Sequence, residues 1–331
     1  MFPRSARQAE RHAVEFPPVE NGVDYLLSVV DHLAGDGPPS PRDLKYAVLH
    51  LQAAAEVLLK ARLQREHWSL VFKDPGTATR SRFDSADFES CTTDAAVDRL
   101  KHIAGIPIDD KAGKALKVLA KSRNALQHYG LTAPARAVEA RAAEVLDFLL
   151  TFLHDHLLPH LTEQENQRIN ADLNDVREGV QEIQSFIAQR GKHLRGELHD
   201  LGYQTVECPS CGEWALPLGD TQTPNCRFCH ESWASPTIAA AYYVRAQYGD
   251  QETLLAGQCP QCAEPALLLD KARVAAEPTQ PRSLCFHCGS SFDRLVECTG
   301  CAALTMPRQS GLCEDCLQDP IRPFELKGRR P

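Results

Sequence analysis

The sequence predicts a mostly α N-terminal helical bundle, then a long helical connector, then an array of small cysteine-rich β units. Three observations carry that expectation. Apolar residues recur at helical spacing through roughly the first 160 positions. A polar stretch over 162–200 carries a thin apolar stripe in a four–three rhythm. Twelve of the thirteen cysteines form six C-x-x-C pairs, all beyond residue 207.

In chain order, a first helix runs from Glu20 to Leu33, with Val23, Leu26, Leu27, Val30 and Leu33 on one stripe. GDGPPSP ends it. Ser40 caps the next helix, with Pro41 at its first position and Asp43 in its first turn. That helix reaches about His67 through Leu44, Val48, Leu51, Ala55, Leu58 and Leu59. Residues 68–91 are irregular and dotted with aromatics, and Cys91 there is a small buried or loop residue. Short helices follow from Thr93 to about Ala104 and from Asp109 to about Tyr129, the second closed by Gly130. Pro134 opens a long helix that ends near Leu158–Pro159. This N-terminal helical domain spans 1–161.

The connector, 162–202, places Ile169, Leu173, Val176, Val180, Ile183 and Ile187 in a heptad-like row. Either it pairs with a second copy or it bridges as a single solvated helix. Two or three heptads leave both open.

The cysteine pairs are Cys208/Cys211, Cys226/Cys229, Cys259/Cys262, Cys285/Cys288, Cys298/Cys301 and Cys313/Cys316. Taken in sequence they make three sets of four, the ligand count for three closed tetrahedral Zn2+ sites. Four thiolates leave no coordination position for water or substrate, so the expected role is structural. A disulfide framework needs an oxidising compartment, and the opening MFPRSARQAERHAVEF contains no apolar export segment. A thioredoxin-like site would use one such pair, not six. The units repeat internally: CPSCGEWALPL (208–218) aligns with CPQCAEPALLL (259–269), and CRFCHESW (226–233) with CFHCGSSF (285–292). A shorter third copy runs from CTGCAALTM to CEDC. The expected boundaries are zinc ribbons at 203–234, 256–293 and 294–331, with a short helical insert at 235–255. Such small units bury too little apolar surface to fold alone, so metal supplies on the order of 10 kcal/mol per site. His230 and His287 adjoin ligand cysteines and are expected to be bystanders, because each set already has four thiolates.

Composition limits the partners. No run of eighteen apolar residues is present, so no membrane span is expected and the chain reads as cytoplasmic. Residues 1–161 hold 20 Lys+Arg against 21 Asp+Glu, whereas 203–320 hold 7 against 14. Each tetrathiolate site adds a net charge of about −2. The ribbon region has the wrong sign for gripping nucleic acid, so its expected partner is a protein and a DNA-binding role is the least favoured.

The helix from Asp109 to Tyr129 is the one compact basic surface. At about 100° per residue, Lys114, Lys117, Lys121 and His128 fall within a sector of about 60°, with Asn124 close by. Ala115, Leu119, Leu126 and Tyr129 cluster on the other side and Arg123 lies at the flank. A solvated lysine face is the plain alternative.

Arg123-Asn124-x-x-x-His128 resembles the R-x4-6-H motif of HEPN domains. HLQAAAEVLLKARL (50–63) is similar to the early long helix of that family, with Glu56 preceding an aliphatic–lysine step at Lys60. The resemblance covers roughly residues 20–160. Two other pairs, Arg7/His12 and Arg62/His67, share the R-x4-H spacing, but neither has the following asparagine or the basic helix face. The resemblance implies a homodimer through the helical domain that joins two copies of the motif in one cleft. It also implies metal-independent endoribonuclease activity of the kind found in toxin–antitoxin and anti-phage systems. His128 would move the 2′-OH or leaving-group proton, Arg123 would stabilise phosphorane charge, and Asn124 would orient the phosphate or the imidazole. Lys114, Lys117 and Lys121 would hold the flanking RNA backbone. Products would carry a 2′,3′-cyclic phosphate and a 5′-hydroxyl. A non-catalytic, RNA-binding dimerisation module with a zinc-ribbon adaptor is the other class the residues allow.

Overall fold

In the computed structural model, which describes residues 14–35, 37–200, 204–219, 223–249 and 257–318, the chain divides into two units, Met1–Gln189 and Arg190–Pro331. The first is helical. Pro18, which needs no N–H in a first turn, starts α1 (Pro18–Leu33), and the stripe Val19, Val23, Leu26, Val30 and Leu33 is buried. A capping box starts α2 (Pro41–Glu66): Asp43 N donates to Ser40 Oγ at 3.2 Å and Ser40 N donates to the Asp43 carboxylate at 3.3 Å. Such a cap contributes about 1 kcal/mol. Gly22 lets the two helices approach, since a Cβ there would stand 2.4 Å from Leu58 Cδ2.

The irregular segment after α2 packs on itself. Two 3-10 turns (Trp68–Val71 and Pro75–Thr77) and α3 (Arg80–Asp84) surround Trp68, Phe72, Phe83 and Phe88, with the Phe72 and Phe88 rings stacked at 4.1 Å. Arg99 of α4 (Thr93–His102) pins this segment by donating to the carbonyls of Leu70, Phe72 and Lys73. Cys91 is buried there and burial pushes its thiol up, so it is an unreactive packing residue.

Asp109 caps α5 (Asp110–His128), and α6 (Ala135–Phe152) runs on into a π turn, Leu153–Leu157, and a 3-10 turn, Leu158–His160. Pro159 has no N–H to continue the regular ladder. Around α2 pack α1, α4, α5 and α6, which makes α2 the centre of the bundle.

The heptad-like row is used inside this unit. A second capping box, Thr162 with Glu165, starts α7 (Glu163–Gly179), whose Ile169, Leu173 and Val176 are buried as it packs on α1. A Cβ on Gly179 would lie 2.1 Å from Val30 Cγ1. The expected single connector is broken by a 3-10 turn at Val180–Glu182 and extended backbone at Ile183, and α8 (Gln184–Asp200) follows. Gly191 and Gly196 weaken α8 by roughly 1 kcal/mol each relative to alanine.

The second unit holds β1 (Thr205–Val206), β2 (Leu216–Pro217), α9 (Pro236–Tyr248), β3 (Leu267–Val274), β4 (Glu277–Cys285) and β5 (Ser291–Phe292). The five strands form one antiparallel sheet in the order β2-β1-β3-β4-β5. Val206 pairs with both Leu216 and Val274, so the first two ribbons are fused through β1. A separate hairpin, β6 (Val296–Glu297) with β7 (Leu304–Thr305), and α10 (Glu314–Gln318) form the third. The end of the connector (201–202), the end of the insert (250–255), the third-ribbon tail (319–331) and the pair Arg7/His12 lie outside the described residues. No described helix is long and apolar enough to cross a membrane.

Two half-buried histidines give the helical unit a pH dependence. Burial, aided by His32, lowers the pKa of His50, and Asp24 opposes it. Burial, aided by Arg62 and His160, lowers that of His156, and Asp155 opposes it. The folded unit therefore binds these protons less readily than the unfolded chain. Stability is full above the unfolded value of about 6.5 and falls as pH drops through the folded values. The denaturation midpoint followed by helix circular dichroism should decrease from pH 7.5 to 5.5, and the double substitution His50→Gln, His156→Gln should flatten that slope. A wild-type midpoint constant over this range would contradict the burial of neutral imidazoles.

Candidate metal centres and the basic helix face

Each C-x-x-C pair is a tight turn whose two thiols face one point. The consecutive pairs assemble as Cys208/Cys211/Cys226/Cys229, Cys259/Cys262/Cys285/Cys288 and Cys298/Cys301/Cys313/Cys316, with the sulfurs of each set within 4.8 Å of one another. The Sγ···Sγ distances are 3.8 Å for Cys208–Cys229, 3.8 Å for Cys211–Cys226, 3.8 Å for Cys259–Cys288, 3.7 Å for Cys262–Cys285 and 3.7 Å for Cys301–Cys313. A tetrahedron with metal–sulfur bonds of about 2.3 Å has edges of about 3.8 Å. A disulfide would need about 2.05 Å. The donor sets fit a tetrahedral thiophilic metal ion at each position.

The backbone is shaped to the same end. Amides of Ser210, Phe228 and Gln261 each donate to a cysteine sulfur two residues earlier at 3.4 Å, and Cys313 N donates to Cys298 Sγ at 3.1 Å. Such donors stabilise thiolate charge. In the first set, hydrogen bonds with Cys211, Cys226 and Cys229 draw the Cys208 thiol down, whereas burial drives Cys226 up. Protons alone leave the four thiols unequal; a shared dication ionises all of them. The residue after the second cysteine is left-handed in five of the six turns: Gly212 (φ 73°), His230 (59°), Ala263 (62°), Gly289 (72°) and Ala302 (63°). Two of these are glycines, and the other three bear the steric cost of about 1–2 kcal/mol. The sixth turn, at Cys316, instead enters α10, with Leu317 N donating to Cys313 O.

Neither flanking histidine joins a ligand set. His230 Nε2 lies 2.5 Å from Arg190 Nη2, which also donates to Arg227 O at 2.5 Å. A guanidinium has no acceptor, so Nε2 is the acceptor in this contact. The sequence pattern left Arg190 unremarked, although it continues the four–three row after Ile183 and Ile187.

On α5, Lys114, Lys117, Lys121, Asn124 and His128 are exposed, and Ala115, Leu116 and Leu119 are buried on the other side. Lys117 Nζ lies 3.9 Å from Asp94 Oδ2, and Lys114 and Lys121 have no carboxylate partner among the described residues. Arg123 is half-buried and its Nη1 donates to Asn124 Oδ1 at 2.9 Å. The helix is regular from Asp110 to His128, so Arg123 and His128 diverge by about 140° within one chain. Leu126 and Tyr129, expected with the core, are half-buried and 81% exposed. The reason is that only the first half of α5 reaches the bundle. No residue between Leu119 and Ala142 is buried, so the turn joining α5 to α6 carries the motif out from the core.

The other R-x4-H pair, Arg62/His67, has structural work. Buried Arg62 pairs with Glu66 at 2.6 Å, and His67 Nδ1 accepts from Ser69 N at 3.3 Å to cap the following turn. Glu56 and Lys60 do pair, and Lys60 also donates to Ser90 Oγ at 2.8 Å.

The left-handed alanines provide a test of the metal turns. Ala263→Gly and Ala302→Gly should each raise the stability of the metal-loaded ribbons by up to about 1 kcal/mol, because glycine adopts that backbone without the Cβ clash. Chelator-resistant melting of the ribbon unit would measure it, and a loss of stability in both variants would contradict the turn geometry. Comparison of the chain with protein-family models, with curated proteins and with solved structures gave no match.

Proposed function

We propose that the protein is a HEPN-like, metal-independent endoribonuclease whose active site forms between two copies, with a zinc-ribbon unit that recognises or restrains a protein partner. The observation that carries this reading is the exposed α5 surface. It carries His128, Asn124 and the half-buried Arg123 on a helical hairpin that its own bundle does not bury, with Lys121 and Lys114 earlier along the same helix. RNA supplies its own nucleophile, so an imidazole and a guanidinium suffice for transesterification. The 140° divergence within a chain is what a second copy would resolve. The half-buried Leu126 and Val138 and the exposed Tyr129 and Leu131 offer it an apolar surface beside the motif. Toxin–antitoxin or anti-phage defence is the setting this chemistry suits.

A second reading is a non-catalytic RNA-binding and dimerisation module. It is favoured by the Arg123 guanidinium, which hydrogen-bonds its neighbour Asn124 rather than facing His128. Purified protein should cleave RNA in EDTA and leave 2′,3′-cyclic phosphate ends. His128→Ala should lower the rate by about 10²-fold or more, the usual share of a general acid–base group. Tyr129→Asp, at an exposed position, should give folded monomer with equally reduced cleavage. Binding of RNA without cleavage by wild type would favour the second reading, and cleavage surviving both His128→Ala and Arg123→Ala would refute the site.

Zinc is the proposed occupant of the three thiolate sets, because a closed four-sulfur shell suits a redox-inert d10 ion in a structural role. Elemental analysis of freshly purified protein should give about three zinc per chain. Iron in place of zinc, or a value near zero, would overturn that assignment.

A further inference from the structure

We infer that Arg190 is the outer-sphere counter-charge of the first metal centre, Cys208/Cys211/Cys226/Cys229, and that this contact makes the docking of α8 depend on the metal. The inference rests on the proposed metal loading of that site.

Arg190 is 2% exposed, and among the largest fully buried side chains of the described residues it is the one that carries a charge. A buried guanidinium is costly unless negative charge lies close by. Two of its contacts, Arg227 O and His230 Nε2, are inside and just after the Cys226–Cys229 turn. Loaded with a dication, that set carries a net charge of about −2. The guanidinium thus stands against the backbone that wraps the thiolates, where it offsets their charge and fixes the turn.

The helix that supplies this residue is poorly equipped to stand alone. Gly191 and Gly196 weaken it, and at either position a Cβ would meet nothing within 4 Å, so close packing does not require them. Its buried side chains among those described are Phe186, Arg190 and Leu194, spaced by four, so the middle of the buried row is the charge itself. The second ribbon provides an internal comparison. At the position of Arg227 it has Phe286, which packs against Tyr243 of α9 with ring centroids 5.3 Å apart. Each of these two ribbons has a helix-borne partner at its second cysteine turn, a cation at the first and an aromatic ring at the second. Metal loss at the first site would weaken this hold on α8, while the aromatic contact of α9 carries no such charge dependence.

The test uses the full chain loaded with 113Cd, with the first-site resonance assigned by its loss in Cys211→Ser. In Arg190→Ala that resonance should shift and that site should lose 10- to 100-fold in affinity against a competing chelator, the range for outer-sphere partners. The other two resonances should stay in place, and Arg190→Lys should recover most of the loss. Chelation should also abolish amide hydrogen-exchange protection over residues 186–196 while leaving α7 protected. Equal weakening of all three sites, no change at the first, or α8 protection that survives chelation would overturn the inference. Failure of the metal assignment is distinguishable, since wild type would then lack the first-site resonance before any substitution at Arg190.

Discussion

The second unit depends on the closure of four sulfurs around one point. Its strands are mostly two residues long, and its turns place alanine and histidine in left-handed backbone. Neither feature is stable on its own terms: two-residue strands bury little, and each left-handed residue with a Cβ is strained. Cross-linking consecutive cysteine pairs through an ion makes both affordable. Fusion of the first two ribbons follows from it, because β1 can pair with β2 and β3 only if the turns beside them hold their shape. The close approach of Gly289 to Leu218 marks the same junction: a Cβ there would lie 3.0 Å from the Leu218 carbonyl oxygen.

The first unit solves the same problem by size. A long central helix, α2, is covered by α1, α4, α5 and α6, and α7 completes the cover over α1. This arrangement has a consequence for the candidate site. Burial is spent on the first half of α5 and the second half of α6, and the hairpin between them is left out. A surface of lysines, one imidazole and half-exposed aliphatics on a projecting hairpin is a poor monomeric active site. The proposed second copy would complete it.

Much of this was legible in the sequence, and the rest was hidden for specific reasons. The cap at Ser40, the cysteine sets and the basic face all follow from local patterns of a few helix turns or one C-x-x-C spacing. Tyr129 was misplaced because helical periodicity says which residues share a face, and not how far along its length a helix is covered. The heptad-like row at Ile169–Val180 was real, but periodicity does not name the partner, and the partner for α7 is α1 of the same chain. The two-residue strand β1 precedes the first cysteine and has no alternation to reveal it. Arg190 continues that row as 183, 187, 190, 194, yet a charge in an apolar pattern reads as an interruption until its neighbours are known.

That last case ties the two kinds of stability together. A cation in an apolar row destabilises a helix unless the surface it meets is negative, and a closed tetrathiolate centre is among the most negative surfaces a small fold can present. The same charge sets the sign of the whole ribbon region, already acidic by 14 carboxylates against 7 basic side chains over 203–320. Nucleic acid is repelled from such a surface, whereas a basic protein segment is attracted to it. The lysines of α5 present the opposite sign. Division of the chain into one basic helix face and one acidic metal unit therefore gives the proposed RNA and protein partners different parts of the molecule on electrostatic grounds alone, before any catalytic residue is invoked.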